Sequence, residues 1–147
     1  PGLISYATPP GGGTTDFSIE LYEYALKGKP YTCYINKDTF LPMMYINDAI
    51  EATVQIMQAE GKNLSIRSSY NLGGISLSPG AIVDSIKNHH HLAVDYKPDF
   101  RQKIADSWPS KIDDTAAQKD WGWKHQYQLE DITRAMLNGF KEMAKAD

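Results

Sequence analysis

Among 147 residues there is one cysteine, Cys33, so no disulfide can close within the chain. That usage suits a reducing, cytoplasmic setting. Positive charge is not in surplus: 15 Lys and Arg face 18 Asp and Glu, for a formal charge of −3. The basic residues are scattered, and no cluster could neutralise a run of phosphates, so nucleic acid is not an expected partner. No apolar run approaches the roughly eighteen residues that a membrane span requires, and the first residues form neither a basic n-region nor an apolar h-region, so no membrane association is expected. Phosphate-binding motifs are missing too, both GxxxxGK[ST] and the GxGxxG that follows the first strand of a dinucleotide fold. There is no repeat and no low-complexity linker. The chain also lacks an initiator methionine, opening Pro1-Gly2-Leu3-Ile4 in what reads as the end of a strand. The expectation is a piece of a longer protein.

What is present describes a folded chain. Hydrophobic residues at 41%, aromatics at 11% and charged residues at 22% exclude a disordered tail. Ser5 to Thr15 contains Pro9, Pro10 and Gly11-Gly12-Gly13, which no helix or central strand absorbs. Phe17, Leu21, Tyr24 and Ala25 then recur at helical spacing, with Thr15 or Asp16 as cap and Gly28 beyond the last turn, predicting a helix over 16–27. Tyr31–Ile35 and Leu41–Ile46 read as strands. Asn47 as cap, with Ile50, Val54 and Met57 following, predicts a helix over 48–59. Leu64 to Leu72 alternates loosely, which suggests a strand before Gly73-Gly74. Ser78-Pro79 opens a third helix with Ile82, Val83 and Ile86 on its buried side. Leu92–Tyr96 reads as a short strand, and helices are expected over 99–105, 113–120 and 129–144. Interleaved strands and helices place the chain in the α/β or α+β class.

Several residues invite a chemical reading. His89-His90-His91 are potential metal ligands, but consecutive residues diverge and no carboxylate or thiol cluster stands near, so no metal site is expected. Cys33 alternates with Tyr31 and Ile35 in an apolar segment and reads as a buried thiol. Asp113-Asp114 is a cap rather than a catalytic pair. Gly13-Thr14-Thr15 runs into a helix N-terminus, where free N–H groups and the helix dipole favour a small carboxylate, with two hydroxyls to orient it. A flexible loop closed by a capping threonine is the plainer reading of the same residues.

The segments Pro1-Gly2-Leu3-Ile4-Ser5, Pro9-Pro10-Gly-Gly-Gly-Thr-Thr-Asp16, Leu41-Pro42-Met43-Met44-Tyr45-Ile46, Tyr70-Asn71-Leu72-Gly73-Gly74, Asp99 through Pro109 and Asp120-Trp121-Gly122-Trp123 occur here in one order. In that order they resemble the C-terminal portion of the short-chain-type L-threonine 3-dehydrogenases. These are extended short-chain dehydrogenase/reductases, close in fold to the UDP-galactose 4-epimerases. The resemblance implies an α/β substrate-covering region of a Rossmann-type fold whose N-terminal cofactor half lies outside this chain. It implies NAD as cofactor, oxidation of the 3-hydroxyl of L-threonine to give 2-amino-3-ketobutyrate, and a homodimer when intact. It also implies an exposed apolar surface where the cofactor half docks.

In that family a tyrosine takes the hydroxyl proton and a lysine four residues later lowers its pKa. None of the nine tyrosines here has a lysine at that spacing, so the chain alone is expected to be inert, with no catalytic residue of its own. Residue by residue, the resemblance assigns Leu3, with Pro1 and Gly2, to the nicotinamide side of NAD. It assigns Thr14, with Gly13 and Thr15, to threonine binding, and Trp108 to closing over the substrate and excluding water. Tyr45 and Arg101 are further candidates. Two alternatives stay open: a nucleotide-sugar epimerase or dehydratase of the same superfamily, and a stand-alone, non-catalytic ligand-binding domain.

Overall fold

A computed structural model of the chain describes residues 1–146. Among the described residues five short strands and six α-helices interleave, all but one of the strands where expected: β1 Gly2–Ile4, α1 Phe17–Lys27, β2 Tyr31–Cys33, β3 Leu41–Tyr45, α2 Ile46–Gln58, the unexpected β4 Ile75–Leu77, α3 Pro79–Lys87, β5 Val94–Tyr96, α4 Phe100–Asp106, α5 Thr115–Trp121 and α6 Leu129–Ala146. The strands form two small sheets. In one, β3 lies between β1, parallel to it, and β4, antiparallel, with Gly2 opposite Met43 and Leu41 opposite Leu77. In the other, β2 and β5 pair in parallel, Tyr31 opposite Val94.

The main core is built where α1, α3 and α6 pack on one another and on the second sheet. Phe17, Leu21 and Tyr22 of α1, Ile82 and Ile86 of α3, and Ile132 and Met136 of α6 are buried there together. Burial of such side chains is worth about 1.5–3 kcal/mol each. A chain of hydroxyls crosses this otherwise apolar contact: Tyr22 Oη lies 3.1 Å from Thr133 Oγ1, which lies 2.8 Å from Ser85 Oγ. These buried polar groups satisfy one another. A smaller cluster of Met44, Ala52, Ala117 and Trp123 joins β3 and α2 to α5.

The helix boundaries follow local chemistry. Helix α1 ends at Gly28, whose φ of +62° is the left-handed conformation that glycine adopts without strain, with its N–H bonded to Ala25 O at 3.2 Å. Helix α3 opens as expected, with Ser78 Oγ accepting from Ala81 N at 3.2 Å and Pro79 first in the helix.

Three expectations need correction. Asn47 does not cap α2: the helix begins one residue earlier, and the Asn47 amide donates to Tyr127 Oη at 3.1 Å. No strand forms between Leu64 and Leu72; a 3₁₀ turn over Gly61–Asn63 leads into irregular chain. The polar groups there are spent on a side chain, since Asp120 accepts from Ser65 N at 2.9 Å, Ser65 Oγ at 2.6 Å and Tyr70 Oη at 2.5 Å. Finally, α5 starts at Thr115, and Asp113 Oδ1 takes the N–H of Thr115 at 3.0 Å from just outside it.

Candidate functional site

A cavity of about 450 Å³ opens where four connections meet: the start of β1 (Pro1, Gly2, Leu3), Thr15 ahead of α1, Pro42 of β3, and the stretch after α4 (Trp108, Pro109, Ile112). Its size is that of a small-molecule cleft. The walls are mostly apolar, and the Thr15 hydroxyl and the Trp108 indole N–H are the polar side-chain groups of the lining residues. Among the described residues no charged side chain lines it. Gly2 has a packing reason: a Cβ there would stand 2.8 Å from both Met43 Sδ and Thr15 Cγ2, so glycine lets the strand approach the threonine. Trp108 and Leu3 are 43% and 47% exposed, so each has a face free for a ligand. The stretch bearing Trp108 is tied down at both ends, by Trp108 N to Ala105 O at 3.1 Å and by Ser76 Oγ to Ser110 O at 2.6 Å.

This cavity brings together Pro1, Gly2, Leu3, Thr15 and Trp108, which the family resemblance assigns to two different ligands. It does not include Gly13 or Thr14. Of the loop amides expected to face a carboxylate, that of Gly13 is already taken, together with its two glycine neighbours. Asp16 does not cap α1 with its side chain; Asp16 Oδ2 accepts from Gly11 N at 2.8 Å, Gly12 N at 2.7 Å and Gly13 N at 2.8 Å. Pro42, Pro109 and Ile112 are wall residues that sequence reasoning missed. Apolar residues of that kind carry no chemical signal, and only the meeting of four connections reveals them.

The other candidates lie elsewhere. The Arg101 guanidinium stacks on the Tyr34 ring, 3.2 Å from its centroid, and forks onto Asp99 with its shortest contact at 2.6 Å. The Asp99 pairing holds the guanidinium pKa above its usual value. Tyr45 packs against Tyr127 with ring centroids 4.6 Å apart, and burial pushes its hydroxyl up to about 12. Neither lines the cavity. Burial also pushes the Cys33 thiol up to about 11, which makes it a poor nucleophile. His89 Nε2 pairs with Glu130 Oε1 at 2.7 Å, and among the described residues no group of three His, Cys, Asp or Glu side chains could hold a metal ion. No described helix is long and apolar enough to cross a membrane.

No family model matches the chain. Individual proteins do. It is 44% identical over 140 residues to the mitochondrial L-threonine 3-dehydrogenase of Bos taurus, covering 94% of this chain and 37% of that protein. It is 44% identical over 144 residues to an uncharacterized epimerase/dehydratase of Staphylococcus haemolyticus, covering 97% of this chain and 45% of that one. The holo form of the GalE-like L-threonine dehydrogenase of Cupriavidus necator superposes with a TM-score of 0.91 at 48% identity, over 94% of this chain and 45% of that one. A UDP-glucuronic acid 4-epimerase of Bacillus cereus, in complex with NAD, superposes with a TM-score of 0.67 at 22% identity, a likeness of fold alone. The chain spans less than half the length of the curated relatives it matches.

Proposed function

For a chain that is homologous to the C-terminal part of the GalE-like, extended short-chain threonine dehydrogenases and epimerase/dehydratases, we propose that it supplies the substrate-binding wall of an NAD-dependent L-threonine 3-dehydrogenase. The observation that carries this is the cavity where Thr15 and Trp108 face Leu3. A small polar substrate in an apolar cleft is oriented by few groups, and the Thr15 hydroxyl can donate to a carboxylate or accept from an ammonium. Trp108, beside it, excludes water from the reacting carbon. The apolar surface of Pro1, Gly2 and Leu3, with the outer edge of β1 unpaired among the described residues, suits the uncharged nicotinamide end of NAD. Nothing on this wall suits the pyrophosphate, so these residues would hold only that end of the cofactor. Held there, NAD would supply a hydride acceptor for oxidation at the substrate's 3-carbon. No tyrosine and lysine pair of the required spacing lies in the chain, so the hydroxyl proton is removed by residues beyond it, and the chain alone should be inactive.

The nucleotide-sugar alternative is less well supported. A sugar diphosphate calls for cationic side chains, and among the described residues none lines the cavity: Arg101 is committed to Asp99 and Tyr34, and Arg134 to Glu130. The homodimer rests on the resemblance, and the cytoplasmic setting on the single cysteine; the bovine relative is mitochondrial. In the protein as the cell makes it, L-threonine should drive NADH formation and UDP-glucose should be left unchanged. Epimerisation of the nucleotide sugar, with no threonine-dependent NADH, contradicts this reading.

A further inference from the structure

We propose that Asp16 is the positioning residue of this cavity, an inference that rests on reading the cavity as the threonine site. By gathering the three glycine amides onto its carboxylate, Asp16 fixes the loop that presents Thr15 to the substrate. One oxygen, Oδ2, receives all three N–H groups, at 2.8, 2.7 and 2.8 Å. Three successive amides can converge on a point only if the backbone curls, and Gly12, at φ +93°, supplies the conformation that permits it. Hydrogen bonds to an ionised acceptor are roughly twice as strong as neutral ones, so the carboxylate can order a run of glycines that would otherwise be mobile.

The loop is held from its other side too. Gly13 donates its N–H to Asp16 and accepts, through its carbonyl, from Tyr34 Oη at 3.0 Å. The Tyr34 ring is fixed in turn by the Arg101 guanidinium above it and by the edge of Phe17, whose centroid is 6.4 Å away. Beyond Asp16, the Thr15 carbonyl accepts from Ser18 N at 3.0 Å and Ser18 Oγ at 2.8 Å. With the backbone fixed on both sides of it, the Thr15 side chain is left facing Gly2 and the cavity. A ligand carboxylate then meets the threonine hydroxyl, while the Gly11, Gly12 and Gly13 amides are occupied by a carboxylate of the chain itself. Asp16 does not line the cavity, so its effect reaches the substrate only through Thr15.

The test is Asp16→Ala and Asp16→Asn in the protein as the cell makes it, read by steady-state kinetics and by amide hydrogen exchange. Asp16→Ala should raise the KM for L-threonine about tenfold while the KM for NAD moves less than about twofold. The Gly11, Gly12 and Gly13 amides should exchange faster in that variant, while those of buried α1 residues such as Leu21 keep their protection. Asn keeps an acceptor oxygen but not the charge, so Asp16→Asn should raise the threonine KM by only about threefold, and it gives the reading should the alanine variant fail to fold. A threonine KM equal to wild type in a folded variant overturns the inference while leaving the proposed activity standing. A wild-type protein that forms no NADH with threonine overturns the activity, and the role of Asp16 with it.

Discussion

Along α6, Ile132, Met136 and Leu137 are buried against α1 and α3, whereas along α2 the side chains of Ile50, Val54 and Met57 stand 57%, 41% and 79% exposed. Both helices carry apolar residues at helical spacing, and periodicity alone does not separate them. The difference lies in what faces each one. Helix α6 meets two other amphipathic helices, and hydrophobic area leaves water on all three at once. Helix α2 is held instead by its first turn and its small residues. Asp48, only 2% exposed, accepts from Gln126 N at 2.9 Å and Tyr127 N at 3.2 Å, and Ala52 packs into the cluster around Trp123. No described residue covers the α2 stripe. An apolar stripe marks a surface that gains from cover; it does not by itself name the cover.

Paired substitutions put the contrast to measurement by chemical denaturation of the chain. Met136→Ala, which leaves a cavity in the main core, should cost about 2–5 kcal/mol of stability. Asp48→Ala leaves two backbone amides without their acceptor, and about 1–3 kcal/mol is expected. Glu130→Gln should change the pH dependence more than the stability at neutral pH. The hydrogen bond from His89 holds the Glu130 carboxyl below its usual range, with Ser85 and Arg134 adding to it. A depressed carboxylate contributes stability above its unfolded pKa and loses it as pH falls through the folded one, so wild type should lose stability in that acidic window and Glu130→Gln should lose less. Met57→Ala should be the mildest, within about 0.5 kcal/mol, while reducing the binding of a hydrophobic dye. A Met57→Ala cost equal to that of Met136→Ala would remove the distinction between the two helices.

Much of the architecture was legible in the sequence because it is set locally. The Ser78-Pro79 start of α3, the glycine stop of α1 and the stripe of α6 are signals carried within a few residues. The failures are cases in which a side chain was spent on a distant partner. Asp120 draws Ser65 and Tyr70 to itself and leaves the 64–72 stretch irregular, and Asp48 turns to residues almost eighty positions away instead of leaving α2 to Asn47. At the site, the glycine-threonine loop was recognisable from its residues, yet it suggested free amides. Spacing cannot show that Asp16 folds back to fill those of Gly11, Gly12 and Gly13, or that Thr15 alone of that loop reaches the cavity. Pro42 and Ile112 were beyond reach, since they join the site only through the tertiary fold.

The claim that this cavity is the wall of a threonine site is tested most directly by Thr15→Val, which removes the hydroxyl and keeps the shape, in the protein as the cell makes it. The expected result is a rise in the KM for L-threonine of about tenfold or more, the worth of one hydrogen bond to a charged group, with the KM for NAD and the thermal midpoint near wild type. A threonine KM unchanged in a folded Thr15→Val protein would contradict it.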